Sequence, residues 1–330
     1  MFPNRVPAHL GDDAAPRLLV VVDTEEEFDW SADPDRAADS VRSMRAVERA
    51  QRICDRYGIR PCYVIDYPVA TQADGYEPLR DIHDDGRCII GAHLHPWVNP
   101  PFDEPLTRAN TFPGNLPAAL EREKLRILSE EIGTRFGAAP NVYKAGRYGY
   151  GAHTTQTLEA LGFDVDVSLC PPLDQSSEGG PDYTREQPDP FWYGAERRLL
   201  ELPVTGGFVG AAGRHGAALY PHAARLRALR VPGVLARLRL LDRLTLSPEG
   251  FSHEEHVRLT RALFARGLRV FTWSFHSPSL EPGHTPYVRD EGDLRRFLDA
   301  FERFFDFFFG ELGGVATTPD ELRTLLEPHA

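Results

Sequence analysis

The chain has 330 residues, 42% of them hydrophobic and 26% charged, enough to bury one large core or two small ones. Its formal net charge of −12, from 49 acidic and 37 basic residues, argues against a nucleic-acid partner, which needs a basic footprint. No run of about 18 apolar residues occurs, so no transmembrane helix is expected. The opening MFPNRVPAHLGDDAAP lacks the apolar stretch of a secretion signal, and a cytoplasmic protein is expected. Four cysteines (Cys54, Cys62, Cys88 and Cys170) form no C-x-x-C pair and read as buried reduced thiols.

Residues 1–17 read as a disordered lead-in and 18–330 as one barrel domain. RLLVVVD at 17–23 is a short apolar run ending in acid, the pattern of a fully buried strand. Helical spacing follows over 39–57 and stops at Gly58; PCYVIDYP is a strand, 76–84 a helix, and RCIIGAHLHPW a strand running into a loop. The alternation continues with a helix over 117–136, a short strand at 141–146, the helix HTTQTLEALG, and the strands FDVDVSLC and LLELPVT. FSHEEHVRLTRALFARG is a helix with Ser252 and Glu255 in capping-box positions. LRVFTWSFH is a strand; a phenylalanine-rich helix, a last strand and a last helix complete the chain. Two stretches interrupt the alternation: a loop rich in Pro, Gly, Asp and Ser at 171–198, and a basic insertion of helical character at 211–250. Short strands alternating with helices predict a parallel sheet, and seven or eight such units favour an irregular parallel (β/α)7-8 barrel.

In parallel barrels reactive groups gather at the C-terminal ends of the strands. Four polar clusters fall at such ends: Asp23 to Glu25, His93 with His95, Lys144 to Tyr150, and His276. Two carboxylates and two imidazoles at one rim suit a divalent metal, which polarises a carbonyl and acidifies a bound water. Residues i and i+2 of extended backbone share a side, so His93 and His95 can face one ion. For each cluster a plainer reading stays open: a loop cap for the acids, packing or surface roles for the histidines, an internal salt bridge for Lys144 and Arg147. Trp97 suits a sugar ring or the core equally. His284 is a weaker candidate than His276, and His153, His222, His253 and His256 read as surface residues on or near helices.

VVDTEEEF, IGAHLHPW, YKAGRYGYG and SFHSPS, in this order, resemble the motifs of the polysaccharide deacetylase superfamily, the NodB-homology fold, over roughly 18–320. DTEEEFDW, HLHPWVNPP and FHSPSLEPGHTPYV resemble its WalW-type branch, linked to envelope polysaccharide genes. The resemblance implies Asp23 as catalytic base, His276 as general acid, and Glu25, His93 and His95 as ligands of a divalent metal, zinc being expected. Trp97, Lys144, Arg147, Tyr148 and Trp273 are expected to bind or orient the substrate. The resemblance also implies a carbohydrate partner and loss of an N-acetyl group from a sugar; a homo-oligomer is left open. The motifs depart from the family pattern: Thr24 separates the two acids, the histidines are two apart instead of four, and Lys144 stands where arginine is usual. Two other functions stay open, a hydrolase of a small non-sugar amide on the same scaffold and a non-catalytic glycan-binding protein. The seven arginines of 214–243 read as a solvated helical pair, a lid, a subunit contact, or a contact with anionic lipid or glycan.

Overall fold

Apolar, β-branched runs suit extended backbone covered on both faces, and here they become strands. The computed structural model describes residues 1–327. Its strands are β1 (Val6–Pro7), β2 (Arg17–Thr24), β3 (Cys62–Ile65), β4 (Ile89–Leu94), β5 (Val142–Ala145) and β6 (Val165–Asp166). They continue with β7 (Phe191–Tyr193), β8 (Leu199–Glu201), β9 (Gly206–Val209), β10 (Asp242–Thr245), β11 (Val270–His276) and β12 (Val315–Ala316). The main sheet runs β1-β7-β8-β6-β5-β4-β3-β2-β11, with β12 also on β2, and β9 pairs with β10 apart from it. Pairing is parallel from β8 through β11, whereas β7 and β1 are antiparallel additions at the far edge.

The sheet curls into an irregular barrel. Between β8 and β11 the wall is completed by single hydrogen bonds instead of a ladder. Val204 N–H donates to Leu169 O (2.8 Å), Thr272 N–H to Thr205 Oγ1 (2.8 Å), Leu246 N–H to Thr205 O (2.7 Å) and Ser274 N–H to Leu246 O (3.2 Å).

Side chains alternate between the two faces of each strand. Leu19, Val21, Cys62, Val64, Val142 and Val270 form one apolar cluster inside the barrel. Leu18, Val20, Val22, Tyr63, Phe271 and Trp273 belong to the larger core beneath the helices. Two residues beyond Val21 on the inner face comes Asp23, and two beyond Val142 comes Lys144, so the barrel is apolar below and polar at its C-terminal rim. Parallel register sets His276 beside Asp23 and His93 beside Lys144.

The helices Glu48–Arg56, Ala73–Asp84, Ala118–Phe136, Thr154–Leu161, His253–Phe264 and Glu291–Phe305 cover the outside. The capping box of Ser252 and Glu255 forms as the sequence predicts. Gly137, at φ +83°, ends the 118–136 helix in the left-handed conformation that a side chain disfavours.

Three expectations are corrected. The lead-in is ordered where β1 pairs with β7, and Phe2 packs on Tyr150, Phe191 and Tyr193; its apolar residues are separated by polar ones and give no periodic signal. The loop at 171–198 contains β7. The insertion at 211–250 is only partly helical, since it ends in β10, which returns the chain to the barrel.

Candidate active site

At the rim, His93 is the last inward-facing residue of β4, and its Nδ1–H donates to Lys144 O (3.1 Å). A carbonyl oxygen only accepts, so this bond fixes the tautomer and leaves Nε2 as a lone pair. His95 Nδ1 faces Glu26 Oε2 at 2.8 Å. Both Nε2 atoms then converge on Glu25 Oε2, at 3.6 Å from His93 and 3.5 Å from His95. The rings lie 4.5 Å apart, and all three residues are buried. The i, i+2 reasoning for two histidines on one side is realised in this geometry.

Burial pushes the pKa of both imidazoles down, His95 to about 4, so both are neutral. Burial also raises the Glu25 carboxyl, and its Oε1 has no hydrogen-bond partner. Two imidazole Nε2 atoms and a carboxylate facing one another in a buried space, with one oxygen orphaned, form a donor set that a divalent cation satisfies. Glu26 and Asp66 stand behind His95. Burial raises both carboxyls, Glu26 to about 8. Asp66 accepts from the backbone N–H groups of Glu26 (2.7 Å) and Val69 (2.8 Å), so it anchors the loop that carries Glu25. This outer layer sets the orientation of the inner one.

Asp23 and His276 flank that donor set. Lys144 Nζ donates to Asp23 Oδ1 (2.5 Å) and Ser274 Oγ (3.1 Å). Burial opposes ionisation of Asp23, but the Lys144 ammonium, with His276 and His93, overcomes it and holds the carboxyl below its usual range. His276 Nε2 is 3.6 Å from Asp23 Oδ2. On the other side of the ring, Nδ1 lies 2.7 Å from Glu249 Oε2, and Ser279 Oγ donates to Glu249 Oε1 (2.5 Å). Burial alone would lower the His276 pKa; Glu249, Glu25 and Asp23 reverse this and lift it to about 10. A cation bound at Glu25 would work against that rise.

Asp23, Glu25, His93, His95, Glu249 and His276 line one cleft of about 620 Å³ with Phe28, Trp30, Trp97, Arg147, Tyr148 and Tyr287. Trp97 stacks on His95 (4.2 Å between ring centres, 23°), bracing the ring as well as facing the cleft. Trp30 meets His276 edge-on at 4.7 Å and Tyr287 at 5.7 Å. Arg147 and Tyr148 sit consecutively at φ +53° and +57°, an uncommon conformation for side-chain-bearing residues. Tyr148 covers Lys144 at 4.9 Å, while Arg147 pairs with Glu178 and donates to Thr111 Oγ1 (2.7 Å).

Two assignments are corrected. Trp273 does not reach the cleft; it stacks on Phe304 in the core (4.5 Å, 15°). His256 is buried rather than on the surface, with Nε2 2.7 Å from Ser247 O. His284 lies off the cleft floor, with Nδ1 3.5 Å from Glu27. Sequence reasoning missed Glu26, Asp66, Glu249, Trp30 and Tyr287. Asp66 had a readable signal, an acid closing the strand CYVI before Tyr-Pro. Glu249 follows β10, which was hidden in the arginine-rich insertion.

No family model matches the sequence, and no curated protein matches it. The solved structures do show its fold. The chain is similar to a probable polysaccharide deacetylase from Pseudomonas aeruginosa PAO1, at 16% identity and TM-score 0.54, covering 94% of this chain and 90% of that one. It overlaps PuuE allantoinase at 13% identity and TM-score 0.55, covering 95% and 92%. It also matches 4-alpha-glucanotransferase from Thermococcus litoralis at 10% identity and TM-score 0.53, covering 96% of this chain but 41% of that one. The chain thus shares the irregular parallel (β/α) barrel of these structures.

Proposed function

We propose that the chain is a metal-dependent hydrolase that removes N-acetyl groups from a sugar of an envelope polysaccharide. The observation that carries this reading is the convergence of His93 and His95 Nε2 on Glu25, with Asp23 and His276 beside them in one cleft. Glu25, His93 and His95 would hold a divalent cation, zinc by the nitrogen-rich donor set, which when bound would supply carbonyl polarisation and a more acidic water. Asp23, kept ionised by Lys144, accepts a proton as water oxygen bonds to the acetyl carbon. His276, held through Nδ1 by Glu249, donates its proton from Nε2 to the sugar nitrogen as the carbon–nitrogen bond breaks. Acetate and a free amine leave. Trp30, Trp97 and Tyr287 offer aromatic faces of the kind that bind sugar rings.

A second reading, hydrolysis of a small non-sugar amide, is favoured by the equally good overlap with a protein named for allantoin. The test is acetate release from N-acetylated oligosaccharides by zinc-loaded protein, with Asp23→Asn as the inactive control. Release that needs both the metal and Asp23 supports deacetylation. Turnover of small amides alone selects the second reading. Glycan binding without any hydrolysis, surviving chelation and Asp23→Ala, would point to a non-catalytic protein instead.

A further inference from the structure

The acidic chain contains a stretch of opposite character. Between Glu201 and Asp242 there is no aspartate or glutamate, while six arginines fall there. This stretch forms the lobe between β9 and β10, built of the helices Gly216–Arg225 and Val231–Arg237 with a short turn between them. Among the described residues, Arg214, Arg225, Arg230, Arg237 and Arg239 are exposed, and none of them forms a salt bridge.

The same lobe is apolar at its surface. Twelve large hydrophobic residues are exposed in the described chain, and six of them (Leu219, Leu226, Leu229, Val234, Leu238 and Leu240) lie within 219–240. Leu229 is 72% exposed and Leu238 61%. The helix Val231–Arg237 buries none of its residues. Scattered exposed leucines need no explanation, but a concentrated group interleaved with unpaired arginines does.

We infer that this lobe docks on an anionic phospholipid surface, its leucines entering the acyl boundary and its arginines meeting the lipid phosphates. Both halves of the pattern are needed for that partner. Long arginine side chains can lie along the apolar boundary while their guanidinium groups stay at the phosphates. A nucleic acid would use the arginines but leave the leucines in water. A second copy packed symmetrically would bring arginine against arginine, and an unsymmetrical contact would not close. The net charge of −12 turns the rest of the molecule away from an anionic membrane, so the lobe sets the orientation. β10 runs from the lobe into the cleft wall, where Arg243 and Thr245 line the cavity, so docking would hold the cleft close to the membrane.

The experiment is sedimentation of the full chain with phosphatidylcholine vesicles made with and without phosphatidylglycerol. Binding is expected only with phosphatidylglycerol, and high salt should weaken it. The triple variant Arg230→Ala/Arg237→Ala/Arg239→Ala should bind about a hundredfold more weakly. Leu229→Ser/Leu238→Ser should also weaken binding, while both variants keep the wild-type melting temperature because the altered side chains are exposed. Absence of wild-type binding, equal binding to both vesicle types, or full binding by both variants would overturn the inference. So would a concentration-dependent dimer that the leucine variant dissociates, because the face would then be a self-contact.

Discussion

Lys144 touches Asp23 and Ser274 and is covered by Tyr148, which places a buried ammonium against the carboxylate. A point charge suffices here because only one carboxylate oxygen needs holding. Asp23→Asn should lower turnover by about a hundredfold to ten-thousandfold while zinc affinity stays within a few-fold of wild type, because Asp23 is outside the donor triad. Glu249 acts one step back. It raises the His276 pKa against the lowering that burial causes. Glu249→Gln removes the first of the groups that raise it. The alkaline limb of the kcat profile should then move to lower pH, with kcat down by about tenfold. An unmoved limb would mean that Glu249 only packs against the ring.

At the scale of elements, the turn after β5 decides how closely the rim can assemble. A side chain on Gly146 would come within 2.6 Å of His95 Cδ2 and would also press on the Leu94 carbonyl. Gly146→Ala should therefore displace His95 and weaken zinc binding by about tenfold, with a smaller effect on thermal stability. Calorimetric titration beside a melting curve checks both. The sequence made much of this legible. RLLVVVD, GAHLHPW and SFHSPS each couple an apolar strand to a polar end, and β2, β4 and β11 do carry Asp23, His93 and His276. Strand parity could also have placed Trp273: it lies three residues before His276, so the two face opposite sides of β11. Glu249 was harder, because β9 and β10 are four residues each and pair only with one another beside a lobe dense in arginine. β1 is two residues long and owes its form to β7, a partner distant in sequence.

For the whole molecule, several acids sit where water does not reach, and their protons couple pH to stability. Glu121, in the helix Ala118–Phe136, accepts from Thr154 Oγ1 (2.5 Å), and burial raises its pKa to about 7. The unfolded chain gives up this proton first, near pH 4.5. Stability is therefore full below that pH and is lost as pH rises to about 7, by about 3 kcal/mol at most. Glu121→Gln keeps the acceptor and removes the titration, so its urea midpoint should fall less than that of wild type between about pH 5 and pH 8. Equal losses would show that Glu121 is solvated in the folded chain. The barrel, the cleft and the proposed chemistry all meet at Glu25, whose second oxygen finds no partner in the protein. The most direct measurement is calorimetric titration of chelator-treated protein with zinc, repeated on Glu25→Gln, His95→Ala and His276→Ala. Wild type and His276→Ala should each bind about one equivalent with similar affinity, while Glu25→Gln and His95→Ala bind at least about tenfold more weakly. Failure of the wild type to bind, or unchanged affinity in Glu25→Gln and His95→Ala, would contradict a metal centre at these residues and the hydrolase built on it.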